Sequence, residues 1–183
     1  YLQLAHSGMM ETQRELDVAF VQGKIGFWTT GSWMLPKLEK EGAGLDFGVA
    51  LMPGLDGSGK PGLSFAGGEY LAVNDKSDKK DLAIELIKYI TDGAVTLEYC
   101  KKFSDAGFPA DKKYFADEYF KGKKYLDVFA EQLKYSRTTP VHPQWLEIES
   151  IFETAMEEVL LGKKGSYEAL PDAEQEIRAL LGK

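Results

Sequence analysis

One stretch decides the fold: AFVQGKIGFWTTGSW, which runs from Ala19 to Trp33. It begins at the end of an amphipathic pattern with helical spacing, and Gly23 follows as the residue that ends the helix. Lys24–Thr30 is a short run of apolar and β-forming residues, which predicts a strand. Gly31-Ser32 then opens a short helix, with Ser32 as a suitable N-cap and Pro36 where a first turn tolerates it. The predicted order along this stretch is therefore a helix, a strand and a second helix.

Predicted strands continue as far as residue 73, and the rest of the chain is predicted to be mostly helical. The segment LDFGVAL, Leu45–Leu51, predicts a second strand, and Ser64–Val73 predicts one or two more, broken at Gly67-Gly68. Apolar residues then recur at helical spacing, which predicts helices near 78–90, 94–103, 126–133, 145–161 and 166–180. The helix that begins at Trp145 should turn one apolar face inward, and Ser166 should cap the last helix.

The composition and charge exclude several classes of protein. With 183 residues, of which 44% are hydrophobic and 28% charged, the chain is long enough to bury a core without a metal or disulfide. A net charge of −7 argues against nucleic-acid binding, because phosphates are held by cationic patches. The single cysteine, Cys100, excludes an intrachain disulfide, and no apolar run approaches the ~18 residues of a membrane helix.

The glycine-rich run Pro53–Gly62 matches two phosphate-binding patterns in its letters but not in its context. Gly57–Gly62 fits G-x-G-x-x-G, and Gly54–Lys60 fits G-x-x-x-x-G-K. Both patterns hold phosphate on the N-terminus of a following helix, whereas a β-type segment follows here. Pro61 also replaces the hydroxyl residue that a P-loop uses for magnesium. We therefore predict a flexible hairpin loop on the surface and no nucleotide cofactor.

The sequence points to neither a metal site nor a catalytic nucleophile. His6 and His142 lie far apart and in no metal-ligand spacing, so we expect no metal and a local hydrogen bond for His142. Cys100 lies among helical residues without a second cysteine and is predicted to be a buried thiol. Glu69 is the carboxylate in the most unusual place, after two glycines at a strand start. A glycoside hydrolase would need a second carboxylate fixed near it, and the sequence selects none.

Large aromatic residues at loop edges are the most informative side chains, namely Trp28, Trp33, Tyr70, Phe108 and Trp145. Flat apolar rings with a polar tip suit sites that stack on sugars, although a ring can equally belong to a core. Trp33 favours function, because it follows two small residues at a helix start, beside free backbone N–H groups. Trp145 heads a core-facing stripe and favours structure. Glycines at 31 and at 67–68 allow the backbone to approach a ligand closely.

Several segments, in order, resemble the carbohydrate-binding class of extracellular solute-binding proteins, the capture components of bacterial ATP-binding-cassette sugar importers. The most specific part is the F-x-x-G-K…G-x-W block of Ala19–Trp33, followed by D-F-G-V-A-x-x-P-G within Leu45–Gly54. The other segments are GGEYLAVNDKSDKKDLAIELIKYIT (Gly67–Thr91), GFPADKKYF (Gly107–Phe115) and WLEIESIFETAMEEVLLGKK (Trp145–Lys164). Together these segments extend over nearly the whole chain.

The resemblance implies an α/β fold of the two-lobed, type II periplasmic-binding-protein kind, with this chain as its helix-rich C-terminal half. By analogy with family members, residues 1–67 and 122–183 belong mainly to the second lobe, and residues 68–121 cross into the first. In such proteins the tryptophan of G-x-W commonly stacks on the ligand, and the Gly-Gly-Glu turn often faces the cleft. The residues taken over as ligand contacts are Gly31, Ser32, Trp33, Gly67, Gly68, Glu69, Tyr70 and Arg137.

The resemblance also implies a function without chemistry. A sugar or oligosaccharide would be captured between the lobes, without metal or cofactor, and delivered to an ABC permease as the hinged lobes close. The location would be periplasmic or extracellular, attached to the cell surface through an N-terminal anchor that this chain does not contain. Two alternatives stay open on the residues: a glycoside hydrolase that uses Glu69 as an acid, and a binding protein for a non-sugar solute such as a polyamine.

Overall fold

The computed structural model of the chain describes residues 8, 12–54, 57 and 59–182. The chain divides into a large unit, Asp17–Thr138, and a small unit that combines Tyr1–Leu16 with Thr139–Lys183. The assignment of 1–67, 68–121 and 122–183 to two lobes is a different division and stays a prediction. No helix among the described residues combines the length and the apolarity that crossing a membrane requires.

Helices make up most of the structure. The α-helices are α1 (Gln13–Val21), α2 (Leu35–Glu41), α3 (Lys80–Ile90), α4 (Gly93–Lys102), α5 (Glu118–Lys121), α6 (Leu126–Gln132), α7 (Trp145–Leu160) and α8 (Ser166–Leu180). Short 3₁₀ helices lie at Ser32–Met34, Lys112–Ala116 and Leu133–Tyr135, and the strands are β1 (Ser64–Phe65) and β2 (Ser136–Arg137). The five helices predicted from residue 78 onward are confirmed, with shifts of one or two residues at their ends.

Most of the predicted strand content is wrong. Segments 24–30 and 45–51 carry no strand, and of 64–73 only the first two residues form one. Within the described residues, the one sheet is the parallel pair β1–β2, with Ser64 opposite Ser136. Segment 45–51 still alternates between half-buried and exposed residues, as a strand would. A strand needs hydrogen bonds from neighbouring strands, and the described residues supply none for these segments.

Two predicted helix caps are wrong by one residue. Ser32 and Ser166 are each the first residue of their helix, and Gly31 and Gly165 hold the N-cap positions without a side-chain hydrogen bond. Glycine is nearly as good an N-cap as serine, so the two helices lose little stability without a serine cap. A side-chain cap forms at α4, where the Asp92 carboxylate accepts two backbone N–H groups at 2.9 and 3.3 Å.

The core of the large unit joins its helices to segment 45–51. Its fully buried residues are Leu35, Leu97, Cys100, Phe120 and Leu126. Phe47 and Val49, the inward residues of the extended segment, pack against this cluster. Phe47 also contacts the ring of Tyr125, whose hydroxyl donates to the Phe47 carbonyl oxygen at 2.6 Å. Side-chain packing therefore holds the extended segment in place, whereas a strand would be held by backbone hydrogen bonds to a neighbouring strand.

One side chain, Gln132, holds the ends of loop 53–61 together. Its Oε1 accepts the N–H of Met52 at 2.9 Å, and its Nε2 donates to the Gly62 carbonyl at 2.9 Å and to Ser64 Oγ at 3.2 Å. The backbone closes the same loop, because the Gly62 N–H donates to the Met52 carbonyl and an antiparallel bridge joins the loop's two ends. The closed ends agree with the predicted hairpin.

We expect Gln132→Ala to lower the free energy of unfolding by about 1–3 kcal/mol, because a partly buried N–H and carbonyl lose their partner. Urea denaturation of the full natural chain that carries this sequence would measure the change. The matched control is Gln175→Ala, an exposed glutamine in α8 whose loss should stay within about 0.5 kcal/mol. Equal midpoints for the two variants would show that the Gln132 bonds do not stabilise the fold.

The small unit is a helical hairpin in its described part. α7 ends where Gly162 adopts a left-handed conformation (φ +69°), and the N–H of Lys163 donates to the Glu158 carbonyl at 2.8 Å, as in a Schellman turn. Lys164 then pairs with Glu158 at 3.3 Å and with Asp172 of α8 at 3.1 Å. The turn geometry and the ion pairs together set the second helix against the first.

The contact between α7 and α8 is made by small residues. Ala155, Ala169 and Ala173 are the buried residues of this contact, because alanine lets two helices approach closely. Phe152 and Leu170, which the helical spacing places on the inward faces, are 50% and 44% exposed. The prediction of an inward apolar face is thus confirmed for Ala155 and Ala173 and wrong for these two larger residues.

Candidate functional site

The indole of Trp33 lies directly over the backbone of Gly31. Gly31 is extended (φ −105°, ψ 171°), and the 3₁₀ turn that carries Trp33 begins at the next residue, Ser32. A Cβ added at Gly31 would come within 1.8 Å of the indole Cζ3, so only glycine leaves room for the ring in this position. Trp33 is nevertheless 50% exposed, which leaves indole surface open to a flat ligand.

The chain after Trp33 enters the core at once and fixes the position of the ring. Met34, Leu35 and Leu38 are buried, with 3%, 7% and 4% of their surface exposed. Pro36 occupies the first turn of α2, as predicted, where its missing N–H has no helical partner to lose. A half-exposed tryptophan on so well packed a turn is preorganised for contact with a ligand.

An open groove of about 490 Å³ lies beside Trp33. One wall consists of Trp33, Met34, Pro36 and Lys37, and the other consists of Lys102, Phe103, Ser104 and Asp105. The first wall belongs to the start of α2, and the second to the end of α4 and the loop that follows. The groove is open to solvent and combines apolar surface with a few polar groups, the mixture of surfaces found in small-molecule sites.

Phe103 is held in place at the C-terminal end of α4. Its N–H donates to the Tyr99 carbonyl at 2.9 Å, and its own carbonyl accepts the N–H of Ala106 at 3.0 Å. Its ring centroid lies 4.7 Å from that of Tyr99, and the ammonium of Lys102 lies 6.0 Å from it. The ring is 45% exposed, so both walls of the groove carry a fixed, half-open aromatic face.

Opposite charges line the groove. The Lys37 ammonium lies 3.7 Å from the Asp17 carboxylate, which offsets its charge. The side chains of Ser104 and Asp105 make no hydrogen bond or ion pair with any residue that the structure describes, and Lys102 makes only its ring contact. One ammonium, one carboxylate and one hydroxyl are therefore available to a ligand in the groove.

An ion pair between Lys101 and Asp117 ties the end of α4 to the start of α5. Lys101 lies 3.2 Å from Asp117 and 3.3 Å from Glu98. The hydrogen bond from Lys101 to Asp117 raises the pKa of the lysine. The pKa of Asp117 is lowered, chiefly because its carboxylate accepts the N–H of Tyr119 and also because of Lys101. Both groups are thus charged at neutral pH and hold the wall that carries Phe103.

The other predicted site residues lie around the β1–β2 pair. Arg137 stands opposite Phe65, and its carbonyl accepts the N–H of Ala66 at 2.9 Å, so the backbone of Arg137 lies beside the start of segment 67–70. The Phe65 ring covers Gly67, where an added Cβ would meet the ring Cε1 at 2.9 Å. Gly68, Glu69 and Tyr70 follow as exposed residues. Of the predicted site residues, Trp33 lines the groove. Gly31 and Ser32 precede it in the chain without lining the groove, and neither Arg137 nor 67–70 lines it.

Features that would indicate catalysis are weak in the described part of the chain. Glu69 is exposed and receives no hydrogen bond there, whereas a glycosidase acid lies in the catalytic cleft across from a second carboxylate. Burial raises the pKa of the Cys100 thiol, which confirms a buried cysteine and keeps the thiol protonated. His142 Nδ1 accepts the N–H of Gln144 at 3.2 Å, the local hydrogen bond predicted for it. The described residues contain no cluster of three possible metal ligands.

The phosphate-binding patterns also lack their structural context. After Gly62 the chain enters β1, whereas a phosphate loop leads into a helix. His6, Leu55, Asp56 and Ser58 lie outside the described residues.

The second wall of the groove is the part of the site that sequence reasoning missed. The helical spacing predicts Phe103 as the last residue of a helix and makes no prediction for Ser104 and Asp105. The sequence does contain a local signal for this wall. Phe103 ends a helix and two polar residues follow it, so an aromatic ring and hydrogen-bonding groups lie together at one exposed helix end. Only the packing of α4 against α2 shows which other residues that helix end faces.

Residues 3–126 of the chain match the model of a family described as bacterial extracellular solute-binding protein. The chain belongs to this family. A Brucella abortus (strain 2308) protein named as a binding protein is 28% identical over 188 residues, which cover 98% of this chain and 43% of that protein. The galactooligosaccharide-binding protein of Bacillus subtilis (strain 168) is 26% identical over 86% of this chain and 36% of its own length.

A solved structure shows the fold. The maltose-maltodextrin binding protein of Alicyclobacillus acidocaldarius matches with a TM-score of 0.71 and 23% identity, over 90% of this chain and 43% of that protein. The predicted fold is confirmed: this solute-binding protein chain is a helix-rich part of the α/β, type II periplasmic-binding fold. The chain spans less than half the length of the relatives that it matches.

Proposed function

We propose that this solute-binding chain is part of the non-catalytic substrate-binding component of an ABC importer, and that its ligand is a sugar or oligosaccharide. The observation that carries the proposal is the half-exposed indole of Trp33, fixed on Gly31 at the edge of a groove with polar groups. Aromatic faces combined with a few hydrogen-bonding groups are the chemistry that holds sugars. The names of the Bacillus and Alicyclobacillus relatives agree with such a ligand.

The wider arrangement belongs to the same proposal. Residues 1–67 and 122–183 would form most of one lobe and 68–121 would reach into the other, with the sugar in the cleft between them. Gly67, Gly68, Glu69, Tyr70 and Arg137 would then contact the ligand from around the β1–β2 pair. The protein would act in the periplasm or outside the cell, attached to the cell surface, and present its closed form to an ABC permease.

The groove argues against the two alternative functions. A polyamine is a polycation that needs surplus negative charge, and the charges of the groove offer none, because Asp17 offsets Lys37 and the remaining Lys102 and Asp105 cancel. A glycoside hydrolase requires two carboxylates fixed on either side of the bond to be cleaved. Asp105 is the one carboxylate that lines the groove, and Glu69 does not line it.

The experiment is a binding assay combined with analysis of the recovered sugar. The full natural chain that carries this sequence would be titrated with maltotriose, galactotriose and spermidine, with tryptophan fluorescence and melting temperature as readouts. We expect saturable binding of at least one neutral sugar, recovered unchanged by chromatography. At 100 times its dissociation constant, the sugar should add about 2.7 kcal/mol to the free energy of unfolding.

Two results would contradict the proposal. Release of cleaved sugar that disappears in the Glu69→Gln variant would show a hydrolase. Binding of spermidine in preference to both sugars would show a polyamine-binding protein.

A further inference from the structure

We infer that the groove between Trp33 and Phe103 is a subsite for a neutral sugar unit, in which Phe103, Asp105 and Lys102 determine specificity. The inference rests on the proposed sugar-binding function and names a second wall for its site. Neither the family match nor the relatives assign a role to these three residues.

The two aromatic faces make the groove suitable for a ring. Trp33 on one wall is 50% exposed and Phe103 on the other is 45% exposed, so each offers apolar surface while its far side is packed. Gly31 supports the indole, and Tyr99 supports the phenyl ring at a centroid distance of 4.7 Å. Because both rings are already fixed, ligand binding does not have to order them, and this lower entropy cost favours affinity.

The charges of the groove select among ring-shaped ligands. Asp105 accepts hydrogen bonds and Lys102 donates them, and neither side chain is engaged by a charged partner among the described residues. A neutral sugar carries hydroxyls that both donate and accept, so it satisfies the two groups together. With Lys37 offset by Asp17, the two remaining charges, Lys102 and Asp105, cancel, so the groove has no surplus charge to attract an acidic sugar or a polyamine.

The backbone of the second wall is fixed within its own part of the chain. Lys101, one residue before Lys102, is bridged to Asp117 at 3.2 Å, and Phe103 is hydrogen-bonded at both its N–H and its carbonyl. Substitutions at residues 103 and 105 replace exposed side chains on this fixed backbone. They should therefore change binding with little effect on folding.

The test compares groove variants with matched variants elsewhere on the full natural chain. Phe103→Ala should weaken maltotriose or galactotriose binding about tenfold, since one aromatic face is lost. Asp105→Asn should weaken it by roughly tenfold or more, because a hydrogen bond to a charged group is lost. The controls are Phe27→Ala and Asp78→Asn, both exposed and outside the groove, which should bind as the unaltered chain does. Trigalacturonate should bind more weakly than the neutral trisaccharides, and Asp105→Asn should narrow that difference.

The outcomes separate this inference from the proposed function. If the unaltered chain binds a neutral sugar and both groove variants bind it equally well, the subsite is wrong and the sugar-binding function stands. If trigalacturonate binds best, the assignment to a neutral unit is wrong. If the unaltered chain binds neither neutral sugar, the subsite and the proposed function fall together.

Discussion

Replacing Phe120 with alanine should lower the free energy of unfolding by about 3–5 kcal/mol, enough to unfold a protein of ordinary stability. Phe120 lies in α5 with 4% of its surface exposed, in the main core cluster of the large unit. Its ring contacts those of Phe108 and Tyr119, at centroid distances of 5.3 and 5.1 Å. Truncation would leave a cavity whose aromatic lining is fixed by its own packing. Urea denaturation of the full natural chain, followed by circular dichroism, measures the change.

The matched control for this variant is another phenylalanine. Phe27 is 98% exposed, so Phe27→Ala should change the free energy of unfolding by no more than about 0.5 kcal/mol. Phe120→Leu, which retains most of the buried volume, should fall between the two. A Phe120→Ala variant as stable as Phe27→Ala would contradict the position of α5 in the core.

The helices could be predicted from the sequence because the information that forms them is local. The hydrogen bonds of α3, α4 and α7 lie within each segment, and their apolar spacing shows directly as a period near 3.6. Strands at 24–30 and 45–51 could not be settled in this way, since a strand exists only if another strand pairs with it. Half-buried and exposed residues do alternate along 45–51, as the sequence pattern predicts. What this segment lacks among the described residues is a neighbouring strand to pair with.

Only one wall of the groove could be predicted from the sequence. Trp33 could be singled out because Gly31 and Ser32 come immediately before it, and a motif of consecutive residues can be recognised in the sequence alone. Phe103 lies some seventy residues further along the chain, and only tertiary packing places it beside the same groove. Tyr125 shows the same limit for the backbone. Its left-handed conformation (φ +69°) is rare for a residue with a side chain, and a hydrogen bond to distant Phe47 helps to hold it.

Trp33→Ala should weaken sugar binding by about 2 kcal/mol or more, roughly thirtyfold, while the fold stays intact. The indole is half exposed and packs mainly on the backbone of Gly31, so little core is lost with it. The expected result for Trp145→Ala is the reverse. Trp145 begins α7, and its indole Nε1 is buried without a hydrogen-bond partner among the described residues. Removal of this partly buried ring should lower the free energy of unfolding by about 3–5 kcal/mol and leave the affinity of the folded fraction unchanged.

Two further variants test the reasons behind this contrast. Gly31→Ala keeps Trp33 but displaces it, because the new Cβ would come within 1.8 Å of the ring, so affinity should fall although the tryptophan remains. Trp145→Phe keeps most of the apolar volume and removes a buried N–H without a partner, so it should be tolerated better than Trp145→Ala. Sugar titrations and urea midpoints on all four variants give the answer. If Trp33→Ala unfolds the protein while Trp145→Ala only weakens binding, the two roles are reversed. If neither tryptophan affects affinity, the ligand lies elsewhere, and the exposed turn Gly67–Tyr70 beside Arg137 is the surface to test next.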